Sequence, residues 1–346
     1  MALEPVALSL LDRPHLPQDG ELDPANFKEW WHFNLLDDAY GLDLIVNLSL
    51  SGDITRPAVG EANLIVLAHE PAHGWTGGVR RHDGLTARVE TATFDIQLDM
   101  VKLRFHRDRY VLKAESERPD GISVDVELVP RTEPMVVWKN TPIGSGHINW
   151  LITPYLEADG TIRVADRQYR IAGARAYHDH NWGRWLWGDN FGWDWGFCSA
   201  AAEVEGAPMS LVYDRTVDRA GHRIMEHSLA LWHGESLLKF FPRQQIRMQR
   251  KGLYRQHIRR IPGVAGLIDP ASVATVPGRI DIEARDGDDW VDACYIPDAA
   301  IQIAIPREVG FGLVQLNETL GWLTLSGSVA GLQFAATRRS CFEFVG

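Results

Sequence analysis

Apolar and polar residues alternate with a period of two in run after run of this chain, the spacing of a strand with one buried and one wetted face. Leu42-Asp43-Leu44-Ile45-Val46-Asn47-Leu48, Val124-Asp125-Val126-Glu127-Leu128, Ile280-Asp281-Ile282-Glu283-Ala284 and Ile301-Gln302-Ile303-Ala304-Ile305 all read this way. Helical spacing is scarce. Asp83-Gly84, Asp120-Gly121, Asp159-Gly160 and Asp286-Gly287 supply turn signals between the runs, and Gly74-Trp75-Thr76-Gly77-Gly78 reads as a further tight turn. The pattern predicts antiparallel meanders closed into barrels or sandwiches, an all-β class. The same texture continues through Met209–Tyr213, Gly321–Leu325 and Phe342–Phe344. At 346 residues the chain is too long for one small barrel. Two barrels, residues 1–190 and 191–346, account for length and pattern together, although no residue-level repeat or low-complexity linker marks the boundary.

With 46 acidic against 35 basic residues the net charge is -11, which disfavours a grip on phosphate backbones. No nucleic-acid partner is expected. The most basic stretch, Arg243 to Arg260, is punctuated by apolar residues as in a strand with one solvated face. Three widely spaced cysteines, Cys198, Cys294 and Cys341, form neither a disulfide framework nor a paired metal knuckle. The first twenty residues lack the basic region of a secretion signal, and no apolar run approaches the ~20 residues of a membrane helix. The expectation is a soluble, cytoplasmic protein without stable membrane insertion, touching a membrane at most transiently to collect an apolar substrate.

Two segments stand out. Glu29-Trp30-Trp31-His32-Phe33-Asn34 leads into a strand, where Glu29, Trp31 and Phe33 face one way and Trp30, His32 and Asn34 the other. Tyr177-His178-Asp179-His180-Asn181-Trp182-Gly183 is followed at once by Trp185, Trp187, Trp193 and Trp195, so that five of the 13 tryptophans fall within fourteen residues. A core needs no such density of a residue that must also satisfy an indole N–H, and a lined pocket is the better reading. Alternation puts Tyr177, Asp179 and Asn181 on one face, with His178, His180 and Trp182 on the other. Among aromatic rings Asp179 would lose hydration, which raises a carboxyl above its ordinary ~3.9 and makes it a proton donor. His178-x-His180 could share a cation, but no carboxylate follows before Asp189 and Asp179 points away, so no metal is expected. The histidines serve equally well as structural donors. His147-Ile148-Asn149-Trp150 adds His147 as a further acid or base and Trp150 as a pocket wall. Neither GxSxG, a P-loop, GxGxxG nor HExxH occurs, and no cofactor is expected.

Together, Glu29–Asn34 and Tyr177–Gly183 resemble the carotenoid 1,2-hydratase and AttH-like family, with its EWWY-type opening and DHxWG-type centre. His32 stands where that family more often has Tyr. The resemblance implies two lipocalin-like antiparallel β-barrels packed together around a hydrophobic small-molecule substrate. It also implies acid catalysis: a carboxylic acid of the central motif, here Asp179, protonates an isolated alkene of an isoprenoid or polyene, and water or a second alkene captures the tertiary cation. Tyr177, His147 and Glu29 are the expected partners. Trp30, Trp31, His32, Trp150, His178, His180, Trp182, Trp185, Trp193 and Trp195 are expected to line the substrate, the indole faces stabilising positive charge. A pericyclase that folds a polyene, and a non-catalytic carrier of a hydrophobic ligand, are the alternatives.

Overall fold

The structure, a computed structural model, describes residues 10–17, 24–54, 56, 60–83, 87–98, 100–115, 121–262 and 276–346. The chain divides into two compact units, the first ending at Trp185 and the second beginning at Leu186. Strands of the first are β1 (Phe27–Asp37), β2 (Leu42–Ser51), β3 (Glu61–Glu70), β4 (Gly74–Asp83), β5 (Ala87–Glu90), β6 (Asp95–Leu98), β7 (Val101–His106), β8 (Arg109–Glu115), β9 (Ile122–Pro130), β10 (Met135–Ile143), β11 (Gly146–Val164) and β12 (Arg167–Arg184). Those of the second are β13 (Gly192–Val204), β14 (Ala207–Val217), β15 (Ile224–His233), β16 (Ser236–Pro242), β17 (Ile246–Leu253), β18 (Ile258–Ile261), β19 (Pro277–Asp286), β20 (Asp289–Pro306), β21 (Leu313–Val329) and β22 (Leu332–Val345).

Each unit is one sheet. In the first the order is β4-β3-β2-β1-β12-β11-β9-β8-β7-β6-β5, with β10 on β11; in the second it is β16-β15-β14-β13-β22-β21-β20-β19-β17, with β18 on β20. Neighbours run antiparallel except β18 and β20, which are parallel. The two units repeat one topology, in which the first strand pairs with the last: β1 with β12 and β13 with β22. Residues near opposite ends of each sheet share one core. Leu64 and Val66 of β3 pack in the same cluster as Ile96 and Leu98 of β6, and Phe241 of β16 joins Ile246 of β17. Only a sheet curled around its own interior does this, which gives the lipocalin-like architecture.

Alternation predicts these strands because each has one face on such a core. In β9 the apolar residues Val124, Val126 and Leu128 are buried while Asp125 and Glu127 point out. The Asp286-Gly287 turn joins β19 to β20, Gly287 taking a φ of +60°. Two expected turns are instead strand interior. Gly160 lies within β11 at a bulge, with φ +147°, and a Cβ there would stand 2.2 Å from the Asp125 carbonyl oxygen. Gly77 lies in β4 with φ +97°, 2.0 Å by the same measure from the Val66 oxygen. Sequence reads these glycines as chain reversals; the close approach of a neighbouring strand is what requires them. The turns expected at Asp83-Gly84 and Asp120-Gly121 fall partly outside the described residues. Among the described residues no helix is long and apolar enough to cross a membrane. The three cysteines are free thiols.

Candidate active site

The two unusual segments are one ribbon. Although nearly the whole first unit separates them in sequence, β1 and β12 pair so that Glu29 faces Trp182, Trp30 Asn181, Trp31 His180, His32 Asp179, Phe33 His178 and Asn34 Tyr177. Strand alternation then sorts the residues onto two faces. Both faces of this ribbon are dry: Tyr177, His178 and His180 are 0 % exposed and Asp179 is 5 % exposed.

Tyr177, Asp179 and Asn181 occupy the face turned away from the first unit's core, with Trp30, His32 and Asn34 beside them. Cross-strand rows place Ile152, Asp179, His32 and Asn47 side by side, with Trp150, Asn181 and Trp30 in the next row. Asn181 Nδ2 donates to Asp179 Oδ1 at 2.8 Å. Asn47 Nδ2 lies 3.3 Å from His32 Nδ1; because an amide nitrogen only donates, this ring nitrogen accepts. Burial pushes His32 down from 6.5 to about 4, against a hydrogen bond with Asn34, and His178 adds to the lowering. His32 is therefore a neutral imidazole at neutral pH, directly across from Asp179. Trp185 packs edge-on against Trp30, 5.3 Å between centroids, and Lys28 reaches the Trp185 carbonyl at 2.9 Å.

The other face points into the core and holds a polar cluster that alternation alone does not foretell. Asp12, in the short N-terminal segment, is 1 % exposed. Its carboxylate lies 2.9 Å from His178 Nε2 and 2.9 Å from His180 Nδ1, and accepts from the Tyr110 hydroxyl at 2.7 Å. Glu29 sits on the far side of His180, 2.8 Å from its Nε2, and accepts from the His15 backbone N–H at 2.6 Å. Phe33 stacks on His178 and Trp31 on His180, while Trp182 stacks on His15 with centroids 4.0 Å apart. Desolvation opposes charge on Asp12 and on His180. On Asp12 the two histidines outweigh it and hold the carboxyl below its usual range. On His180 the hydrogen bonds and charges of Asp12 and Glu29 outweigh it, raising the imidazole to about 9. His178 also faces the His32 carbonyl oxygen, 3.0 Å from its Nδ1, so this cluster braces the β1–β12 ribbon that carries His32 and Asp179.

Of the four acid–base residues expected from sequence, the structure brings Asp179 and Tyr177 together on one face. Glu29 lies on the opposite face, engaged with His180 and His15. His147 pairs with Arg184, five register steps from the Ile152–Asp179 pair and on the alternate face, which puts it roughly 17 Å along the strand. The tryptophans divide as well. Trp30 and Trp150 share the Asp179 face, Trp31 and Trp182 the inner one, Trp185 closes the first unit, and Trp193 and Trp195 open β13 in the second. Asp12, His15 and Tyr110 escape sequence reasoning because their partners lie on other strands; an acidic residue within an apolar N-terminal run was the only available signal.

The second unit carries its own buried carboxyl row. Ser228, Asp214, Trp195, Glu343 and Glu318 stand side by side across β15, β14, β13, β22 and β21. Burial lifts Asp214 to about 7, against the Ser228 hydrogen bond and with help from the charge of Glu226. Burial also raises Glu343, opposed by hydrogen bonds with the Trp193 indole and Glu318. Asp194, facing inward, is instead gripped by Arg215 and Arg250.

No family model matches the sequence, and no curated protein matches it. Solved structures do. The fold is similar to that of an AttH candidate protein from Nitrosomonas europaea, with a TM-score of 0.65, 17 % identity, and coverage of 96 % of this chain and 97 % of that one. It is similar also to kievitone hydratase from Nectria haematococca, TM-score 0.59 at 10 % identity over 96 % and 93 % of the two chains. CghA, solved with Sch210972, gives 0.58 at 10 % over 96 % and 94 %. These likenesses establish the all-β fold alone.

Proposed function

We propose that this protein is an enzyme of the hydratase or cyclase kind that protonates an alkene of an isoprenoid or polyene, with Asp179 as the proton donor. The observation that carries the reading is the placement of Asp179: a carboxyl almost wholly out of water, beside a neutral imidazole, in one row with Ile152 and next to the row that holds Trp150 and Trp30. Protonating an unactivated alkene needs an acid whose proton is not levelled by bulk water. The proton passes from the carboxyl to one alkene carbon, leaving a carboxylate and a tertiary cation on the other carbon. Water, or a second alkene of the same chain, then adds to the cation and a proton returns to Asp179. Asn181 orients the carboxyl through Oδ1. Tyr177 fills the adjacent position on that face, and the faces of Trp30 and Trp150 offer ~1–2 kcal/mol each to a desolvated cation. A hydratase and a protein holding Sch210972 among the fold neighbours support hydration and cyclisation as outcomes on this scaffold.

Asp179→Asn keeps the side chain's shape and removes its acid. Incubated with a panel of acyclic isoprenoid alkenes in deuterated water, the wild type should yield product with one new carbon–deuterium bond, and the variant should lose ~10²–10⁴-fold in kcat/KM. Turnover near the wild-type rate would refute the acid assignment. Product free of deuterium, with Trp30→Ala and Trp150→Ala more damaging than Asp179→Asn, would favour pericyclic ring closure. Unaltered ligand recovered from both proteins would favour a carrier.

A further inference from the structure

Four buried polar atoms in the inner cluster of the first unit lack a hydrogen bond, Asp12 Oδ1 and His180 Nδ1 among them. Among the described residues, Glu29 Oε2 and His15 Nδ1 make no hydrogen bond, although Glu29 is 0 % exposed. Orphaned buried acceptors are costly and call for an explanation, of which an absent ion is one. One donor atom each from His15, Glu29 and His180 all lie within 4.8 Å of one another. The geometry points to a divalent transition-metal site, of the zinc type, held by His15, Glu29 and His180.

The donor set of two imidazoles and one carboxylate is one that zinc and other first-row dications accept. The spacing suits a small ion. Tetrahedral coordination at ~2.0–2.1 Å puts ligand atoms roughly 3.3 Å apart, and the separations here, 2.8 Å from His180 Nε2 to Glu29 Oε1 and 3.5 Å from His15 Nδ1 to the same oxygen, bracket that value. Glu29 Oε2 supplies a further donor. The support around the ligands is in place as well. A metal-bound imidazole characteristically gives its other N–H to a carboxylate, and His180 Nδ1 lies 2.9 Å from Asp12 Oδ1. Trp182 lies flat on His15, with ring planes 2° apart, and Trp31 stacks on His180, so the rings are oriented before an ion arrives.

Uptake exchanges one ion for one proton at His180: the Nε2–H shared with Glu29 leaves to solvent and the lone pair it vacates binds the metal. The carboxylate expected a few residues after His178-x-His180 is absent from that strand because it comes from β1, and the third ligand comes from the N-terminal segment. The ion would thereby staple residues 10–17 to the β1–β12 ribbon behind Asp179.

Full-length protein, stripped with a chelator and dialysed against Zn²⁺, should retain one equivalent by mass spectrometry of the metal, and Co²⁺ should give the visible bands of a tetrahedral site. Its Tm should rise by roughly 5–10 °C at about 100 times Kd. His15→Ala alters a partly exposed residue of an irregular segment and leaves both strands intact, so it should fold yet lose the equivalent and the Tm rise. Asp12→Asn, if folded, should weaken binding ~10–100-fold. Failure of the wild type to bind Zn²⁺ or Co²⁺ at about 100 µM, or binding unchanged by His15→Ala, would overturn the proposal. Neither result bears on Asp179, which these experiments leave intact.

Discussion

Asp214 provides the sharpest test of how burial governs the second unit. Its carboxyl is 2 % exposed, Oδ1 receives the Ser228 hydroxyl, and Oδ2 has no hydrogen-bond partner among the described residues. Glu226 adds a repelling charge from the same neighbouring strand, Trp195 covers the other side, and Glu343 stands one position beyond. Burial therefore favours the protonated form and raises the group from 3.8 to about 7. The sign follows from proton binding. Between these two values the folded chain holds a proton that the unfolded chain has released, so stability falls as pH rises. The contribution is fully present below pH 3.8 and is lost as pH passes through about 7. A shift of roughly three units corresponds to ~4 kcal/mol at ~1.36 kcal/mol per unit. Asp214→Asn imitates the protonated acid at every pH. The stability difference between variant and wild type, from urea unfolding, should therefore grow in the variant's favour from pH 4 to pH 8, by an amount of order 4 kcal/mol. Titrating groups that do not interact with Asp214 cancel in that difference. A difference independent of pH would show that Asp214 keeps its ordinary carboxylate behaviour and that burial does not govern its protonation.

Asp12→Asn puts an amide N–H against one of the three donors that Asp12 now accepts, and loss of one member of a buried ionic network costs ~3–5 kcal/mol; the urea midpoint should fall accordingly, and an unchanged midpoint would mean the N-terminal segment is not anchored there. Gly160→Ala forces a Cβ against the Asp125 carbonyl at a φ that L-residues avoid, so the variant should lose of the order of 2 kcal/mol, read as a lowered Tm; an equal Tm would contradict the bulge.

How far the sequence was legible differs between the fold and the site. Period-two alternation identifies β2, β9, β19 and β20 because each has one face on a core and a polar opposite face. It also assigns Asp179 and His180 to opposite faces of one strand, since that follows from backbone geometry without knowing the fold. The glycines mislead for a physical reason: Gly160 and Gly77 are required by a neighbouring strand's carbonyl, and that neighbour lies far off in the chain. His147 is near Asp179 only in the sense that their strands are adjacent; the β11–β12 register sets them apart, and register is a property of pairing.

Local sequence, then, determined what each strand is and which side chains share its face, because a strand's alternation is intrinsic to its backbone. Tertiary structure alone decided which face is wet, which motif pairs with which, and that Asp12, Glu29 and two histidines meet out of water. Those outcomes depend on the first strand of the sheet closing onto the last, a contact between residues about 150 positions apart, and no local pattern encodes the partner a strand will find.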